Sequence, residues 1–228
     1  MPGDLQLRLD THGAEHRSAA ISGEELAALQ ALADSVLVGR AGVRVFGHES
    51  IDHVLGPQGS VGRLAMAHLG EAAQPVRAIL FDKTANNNWS VGWHQDRTIA
   101  VRERRDVPGF GPWSTKAGVV HVEPPFEIIA GMITIRVHID DCGPDNAPLL
   151  IAPGSHRMGR IPAGEIAEIV RRLGHEACFA KPGDVWTYAT SIIHASERAQ
   201  TPRHRRVLQI DYASTTLPRG LEWLGVLH

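Results

Sequence analysis

Several features are scarce or missing in this chain of 228 residues. It holds two cysteines, Cys142 and Cys178, and so at most one disulfide. Two free thiols packed as small buried hydrophobes, in a reducing cytoplasmic setting, are the simpler expectation. No apolar run approaches the ~20 residues that a membrane span needs. The opening MPGDLQLRLD lacks the basic-then-apolar layout of a signal peptide. A formal net charge of -2 gives no electrostatic reason to expect a nucleic-acid or anionic-membrane partner. Strands and helices do not alternate along the chain, and neither a GxGxxG nor a P-loop pattern occurs. That disfavours a doubly wound α/β fold cradling a phosphate.

The residues present are those of a folded chain. A hydrophobic fraction of 43% supports a packed core, and 21% charge argues against disorder. The length fits one domain over 1–228. Ser22 and Glu25 stand as a capping box before Leu26, Leu29, Leu32 and Val36, which share one helical face, and Gly39 is the natural stop. A second short helix is expected at 61–69 and a third at 164–173. Strand character marks 76–81, 132–139, 149–152, 177–180, 185–190 and 206–212. Between Arg97 and Pro125 no clean period exists, and Pro and Gly punctuate a segment that reads as a lid or binding loop. Helices first and short strands later, with Gly/Pro turns between, predict an α+β protein with an antiparallel sandwich or barrel core.

His94 and Asp96, in the stretch VGWHQDR (91–97), are two apart, so a strand places them on one face. A third ligand must come from elsewhere, and His194, just past the strand 185–190, is the candidate. Two imidazoles and one carboxylate form a facial triad suited to Fe(II) with three open positions. An iron oxygenase uses those positions for a bidentate oxo-acid and O2. If the oxo-acid is 2-oxoglutarate, its far carboxylate needs a partner, and the planar arginine fork is the preferred one. Arg205 and Arg206 follow His194 by eleven and twelve residues. Alternation along 205–212 leaves both open, and a simple core-face argument would turn Arg206 inward.

Four stretches then carry a resemblance: WHQD (93–96), DDCGPDNAPLLIAPGSHR (140–157), KPGDVWTYATSIIHAS (181–196) and RHRRVLQIDY (203–212). In this order the chain resembles the phytanoyl-CoA dioxygenase family of Fe(II)/2-oxoglutarate oxygenases over about residues 76 to 212. The resemblance implies a mainly β fold of the α+β class. Its core would be a double-stranded β-helix (jelly-roll, cupin-like) at about 76–212, with the helical part, about 1–75, packed on one sheet. It implies His94, Asp96 and His194 as iron ligands and Ser196 as a contact of the 2-oxoglutarate carboxylate. Family spacing selects Arg205 as the arginine, with Arg206 the alternative, and often places a lysine near Lys83. The implied reaction consumes O2 and 2-oxoglutarate, releases succinate and CO2, and hydroxylates an aliphatic C–H of a small-molecule metabolite. Halogenases related to the family lack the carboxylate ligand, so Asp96 favours hydroxylation or desaturation over chlorination. Ala147 stands where the family usually has glycine, which predicts an altered turn.

Other residues carry weaker readings. Arg136, with Thr134 and His138, alternates with Ile133, Ile135 and Val137, and would face either solvent or an anionic ligand in the cavity. Gln95, Trp113 and Lys116 are expected to touch substrate, the last two from the lid segment. Trp93 is read as packing, His156 as part of a turn, and His121 and His138 as satisfied core or surface histidines. Only about fifteen residues follow the last strand, leaving little surface to cover an acyl-CoA. A small, anionic metabolite such as an amino acid or a natural-product intermediate is the expected substrate, and the chain is expected as a monomer or homodimer. Two rival readings remain: a Zn(II) hydrolase or isomerase using the same three ligands, and a non-catalytic jelly-roll binding module. Neither explains the placement of Ser196 and Arg205.

Overall fold

A computed structural model describes residues 6–227, so the first residues scanned for a signal-peptide pattern lie outside the described ones. The chain opens with α1 (Leu9–His12) and β1 (Ala14–Arg17), then α2 (Gly23–Val36), β2 (Gly42–Arg44), α3 (Glu49–Leu55) and α4 (Ser60–Leu69). Strands β3 (Gln74–Lys83), β4 (Val91–His94), β5 (Ile99–Val101), β6 (Trp113–Lys116) and β7 (Val119–Val122) follow. After α5 (Phe126–Ala130) come β8 (Ile133–His138), β9 (Leu149–Ile151), α6 (Ile166–Leu173), β10 (Glu176–Cys178), β11 (Val185–Ala189), β12 (His194–Ser196) and β13 (Arg205–Ala213).

All strand pairs are antiparallel. A six-stranded sheet runs β1-β11-β8-β13-β3-β2, a four-stranded sheet β10-β9-β12-β4, and a third sheet β5-β7-β6. The expected jelly-roll core is the first two sheets. The predicted capping box of α2 forms: Glu25 N–H donates to Ser22 Oγ at 3.2 Å and Ser22 N–H to Glu25 Oε2 at 3.0 Å. Glu25 also accepts from Ser60 N–H and Oγ, which fixes the start of α4 against α2.

Alternation sorts the large sheet into two faces. Ala78, Leu80, Ile135, Val137, Leu208, Ile210 and Tyr212 turn outward onto Leu29, Leu32, Val54, Leu55 and Ala65 of the helices. Tyr212 fixes this layer by donating its hydroxyl to Leu55 C=O at 2.8 Å. The other face carries Arg77, Ile79, Arg136, Arg205 and Gln209 into the space between the sheets. Because helices cover the apolar face, the more polar face is the inner one. The core-face argument for Arg206 therefore runs backwards.

The segment after Arg97 departs from the expected lid. It holds the third sheet, whose Val101 and Val122, with Trp113 and Val120 beside them, pack on Val76, Met132, Leu217 and Trp223 in a separate core. Its β6–β7 hairpin turns at Ala117 and Gly118, both at positive φ (48° and 79°), as a two-residue turn of the mirror-image type requires. Alanine in place of the usual asparagine hid that turn in the sequence. Both cysteines are free and buried. Among the described residues no helix is long and apolar enough to cross a membrane.

Candidate active site

His94 ends β4 and His194 begins β12, directly opposite each other in register, with ring centroids 4.3 Å apart. Asp96 lies just past the end of β4 but on the same side. One ligand atom from each of the three residues falls within 4.8 Å of the others. His94 Nδ1 sits 2.8 Å from Gly92 C=O, and His194 Nδ1 3.0 Å from Ile192 C=O. A carbonyl only accepts, so both Nδ1 atoms carry the proton and both Nε2 atoms keep a free lone pair. Asp96 Oδ2 is buried without a hydrogen-bond donor. Two available imidazole nitrogens and an orphaned carboxylate oxygen on one face fit a divalent metal.

His194 and Asp96 are held from behind. Ser155, in the predicted PGSHR turn, accepts from Ile193 N–H at 2.9 Å and donates to Ala152 C=O at 2.7 Å, pinning the backbone just before His194. Arg77 Nη2 lies 3.9 Å from Asp96, while its Nε donates to Asp211 at 2.6 Å. Thr134 Oγ1 reaches Asp211 at 3.1 Å, extending the network. Burial pushes the Asp96 carboxyl up, but His194, Arg77 and His94 outweigh it and hold the group ionised. Burial lowers the Arg77 guanidinium, and Asp211 and Asp96 more than restore it. Arg77 was absent from the expected site, yet it had a signal: it is the one charged residue in the strand run 76–81, in phase with Ile79 and Phe81.

The triad opens into a cavity of about 180 Å3 lined by Arg77, Ile79, Phe81, Trp89, Arg136, Leu149, Ser196, Arg205 and Gln209, among others. Arg205, 2% exposed, donates through Nη1 to Ala147 C=O and leaves its Nε unpaired. Lys83, fully buried opposite Arg205 in register, donates to Ser196 Oγ at 2.9 Å and to Glu197 C=O, with Trp89 under its ammonium. Arg136 also faces inward, held by Gln209 Oε1 at 2.8 Å with its Nε unpaired. Burial, then Arg205 and Arg136, push the Lys83 amine down to about 7. Burial, then Arg136, lower the Arg205 guanidinium to about 10. Among the described residues these three crowded cations form no ion pair with a carboxylate, an arrangement that suits an anion.

Four expectations need correction. Arg206 faces the helices, bound to Asp140 by two hydrogen bonds (2.9 and 2.8 Å) and to Asp34 of α2 at 2.5 Å, so it is removed from the cavity. Gln95 points away from the cavity and clamps the loop: it donates to Ser191 C=O (2.8 Å) and Gly159 C=O (3.1 Å) and accepts from Ile161 N–H (2.9 Å). Trp113 packs in the third sheet's core with Arg104 over its ring. The Ala147 turn is not remodelled: alanine itself takes the left-handed conformation (φ 52°) and presents its carbonyl to Arg205. Lys116 is exposed on the hairpin, with its charge felt by Asp96. Trp93 packs against the α6 cluster, as expected.

The solved structures similar to this one share its fold. EctD from S. alaskensis in its apo form matches at a TM-score of 0.67 and 19% identity, covering 100% of this chain and 84% of that one. AviO1 from Streptomyces viridochromogenes Tue57 matches at 0.62 and 20%, covering 93% of each chain. HygX from Streptomyces hygroscopicus, solved with nickel and 2-oxoglutarate bound, matches at 0.62 and 14%, covering 96% of this chain and 94% of that one. Among curated proteins no sequence matches. The sequence profile of the phytanoyl-CoA dioxygenase (PhyH) family matches residues 10–207. With that span covering most of the chain, this protein belongs to the phytanoyl-CoA dioxygenase family of iron- and 2-oxoglutarate-dependent oxygenases.

Proposed function

We propose that this protein hydroxylates an aliphatic C–H of a small metabolite, with His94, Asp96 and His194 holding Fe(II) and Arg205, Lys83 and Ser196 receiving the distal carboxylate of 2-oxoglutarate. The observation that carries this reading is that the His–Asp–His face and Arg136, Arg205 and Ser196 line the same cavity, with Lys83 bonded to Ser196 behind them. Bound there, Fe(II) with 2-oxoglutarate supplies O2 activation coupled to oxidative decarboxylation, the chemistry that hydroxylation of an unactivated C–H requires.

The chain's own part is positioning and exclusion of water. Both Nδ1–H bonds to backbone carbonyls fix the tautomer and aim the imidazoles. Arg77 keeps Asp96 ionised and in place. Arg205 offers a fork to the tail carboxylate while Lys83 and Arg136 neutralise it from two sides. Ile79, Phe81, Trp89 and Leu149 form the apolar wall. A volume of about 180 Å3 is below the ~300–1,000 Å3 of drug-sized sites, which suits a small oxo-acid. A Zn(II) hydrolase would use the same face but leaves the cationic seat without a role.

The test is anaerobic addition of Fe(II) and 2-oxoglutarate, read as a visible metal-to-ligand charge-transfer band, followed by O2 and measurement of succinate. Band and succinate are expected, and their absence in the wild type overturns the oxygenase reading. Arg205→Met is expected to weaken 2-oxoglutarate binding about 10- to 100-fold, as loss of a charge-assisted pair does. Arg206→Ala is expected to leave that affinity unchanged. The reverse result overturns the assignment of the seat.

A further inference from the structure

The cosubstrate seat accounts for Lys83, Arg136 and Arg205, yet a second group of basic residues, on three other strands, gathers around Arg77. Arg44, on the edge strand β2, pairs with Ile79, so it shares the cavity face of the large sheet. Its Nε is buried without a partner. On the third sheet Trp113, Val120 and Val122 take the apolar face, which leaves Ser114, Lys116 and His121 on the other. His121 is fully buried, with Nδ1 2.9 Å from Val119 C=O and Nε2 unpartnered. Its Nδ1 therefore donates, and Nε2 is an acceptor with nothing to accept.

These groups act on one another across the sheets. Burial lowers the His121 imidazole, and the charges of Arg77, Lys116 and Arg44 lower it further against the Val119 bond. Burial and then Arg77 lower the Arg44 guanidinium. Arg77 is neutralised by Asp211, but neither Arg44 nor Lys116 has a carboxylate partner among the described residues. Two unneutralised cations and one free acceptor thus lie around Arg77, which reaches Asp96 on its other side, apart from the Lys83–Arg205 seat.

We propose that Arg44, Lys116 and His121 form the primary-substrate subsite, and that the substrate is a small carboxylic acid with a hydroxyl or amine close to its carboxylate. The Arg44 fork and the Lys116 ammonium take the carboxylate. The neighbouring O–H or N–H donates to His121 Nε2, which places the remaining carbon chain towards the iron face. This subsite rests on the oxygenase reading above, whose failure would appear separately as a missing charge-transfer band in the wild type.

The test is equilibrium binding of a panel of α-amino and α-hydroxy acids, each with its primary amide, to the anaerobic Fe(II)–2-oxoglutarate protein. Binders are expected among the acids, and their amides are expected to bind at least about ten-fold more weakly. Lys116→Met and Arg44→Met should each weaken the acid about ten-fold and leave 2-oxoglutarate affinity unchanged. Lys116 is exposed, so its variant carries the test even if the Arg44 variant does not fold. His121→Phe should weaken the acid but not the same acid lacking its hydroxyl or amine. Amides binding as well as acids, no acid binding at all, or acid affinity unmoved in Lys116→Met overturns the proposal.

Discussion

At the scale of single residues, burial decides what each polar group can do. Lys83 is an amine with no exposure, flanked by Arg205 and Arg136, and its pKa of about 7 follows from that. The ammonium is the form that attracts a carboxylate, and a bound carboxylate stabilises it, so 2-oxoglutarate binding takes up a proton above pH 7. Affinity measured with saturating metal is expected to fall as pH rises from 7 to 9, by up to about ten-fold per unit for one linked proton. Lys83→Met should flatten this dependence. The same shift acts on folding with the opposite slope. A lysine whose folded pKa lies below its unfolded value of 10.5 costs stability below pH 7, and that cost is relieved as pH rises through the 7–10.5 window. Gln95 is the contrasting case. Its three buried hydrogen bonds hold the loop, so Gln95→Leu should lower the unfolding free energy by roughly 2–3 kcal/mol in urea titrations. The amide was misread because a glutamine between two ligands has the same one-letter context whether it turns in or out.

At the scale of elements, alternation carries most of the explanation. The strand 205–213 alternates cleanly, and its two faces were legible from the sequence. Which face was inner depended on a covering layer contributed by α2, α3 and α4, more than 130 residues earlier in the chain. That layer buries Leu208, Ile210 and Tyr212, and binds Arg206 through Asp34. Short elements were the least legible. The strands β2 and β5 have three residues each, too few for a period to emerge, and β6–β7 lacked the usual turn residues. The Ala147 turn allows a quantitative check. An L-residue in the left-handed region costs ~1–2 kcal/mol, and glycine's extra chain entropy offsets ~0.5–1 of the gain from replacing it. Ala147→Gly should therefore raise stability by about 0.5–1 kcal/mol, read from the urea midpoint, while keeping the carbonyl that Arg205 uses.

At the scale of the whole molecule, the ligand face and the cationic seat are costs of folding until they are occupied. Three crowded cations repel one another, and Asp96 Oδ2 and the Nε atoms of Arg205 and Arg136 are buried without partners. Ligands that relieve those costs bind the folded state only. Fe(II) and then 2-oxoglutarate, each at 100 times its Kd, should each add about 2.7 kcal/mol. For a chain of this size that raises Tm by roughly 5–10 °C per ligand. Anaerobic melts check this, and Asp96→Ala is expected to remove the metal's share.

By itself the sequence determined the local chemistry: the capped helix, the strand alternation, the motif order, and the three candidate ligands His94, Asp96 and His194. Those features depend on spacing along the chain, which the residues carry with them. Only the tertiary structure decided that Arg205 turns in and Arg206 out. The same holds for Arg77 standing behind Asp96 and for the grouping of Arg44, Lys116 and His121 around Arg77. Each of those facts joins strands remote in sequence, and its energy is one of burial and charge, which exist only once the sheets have closed on each other.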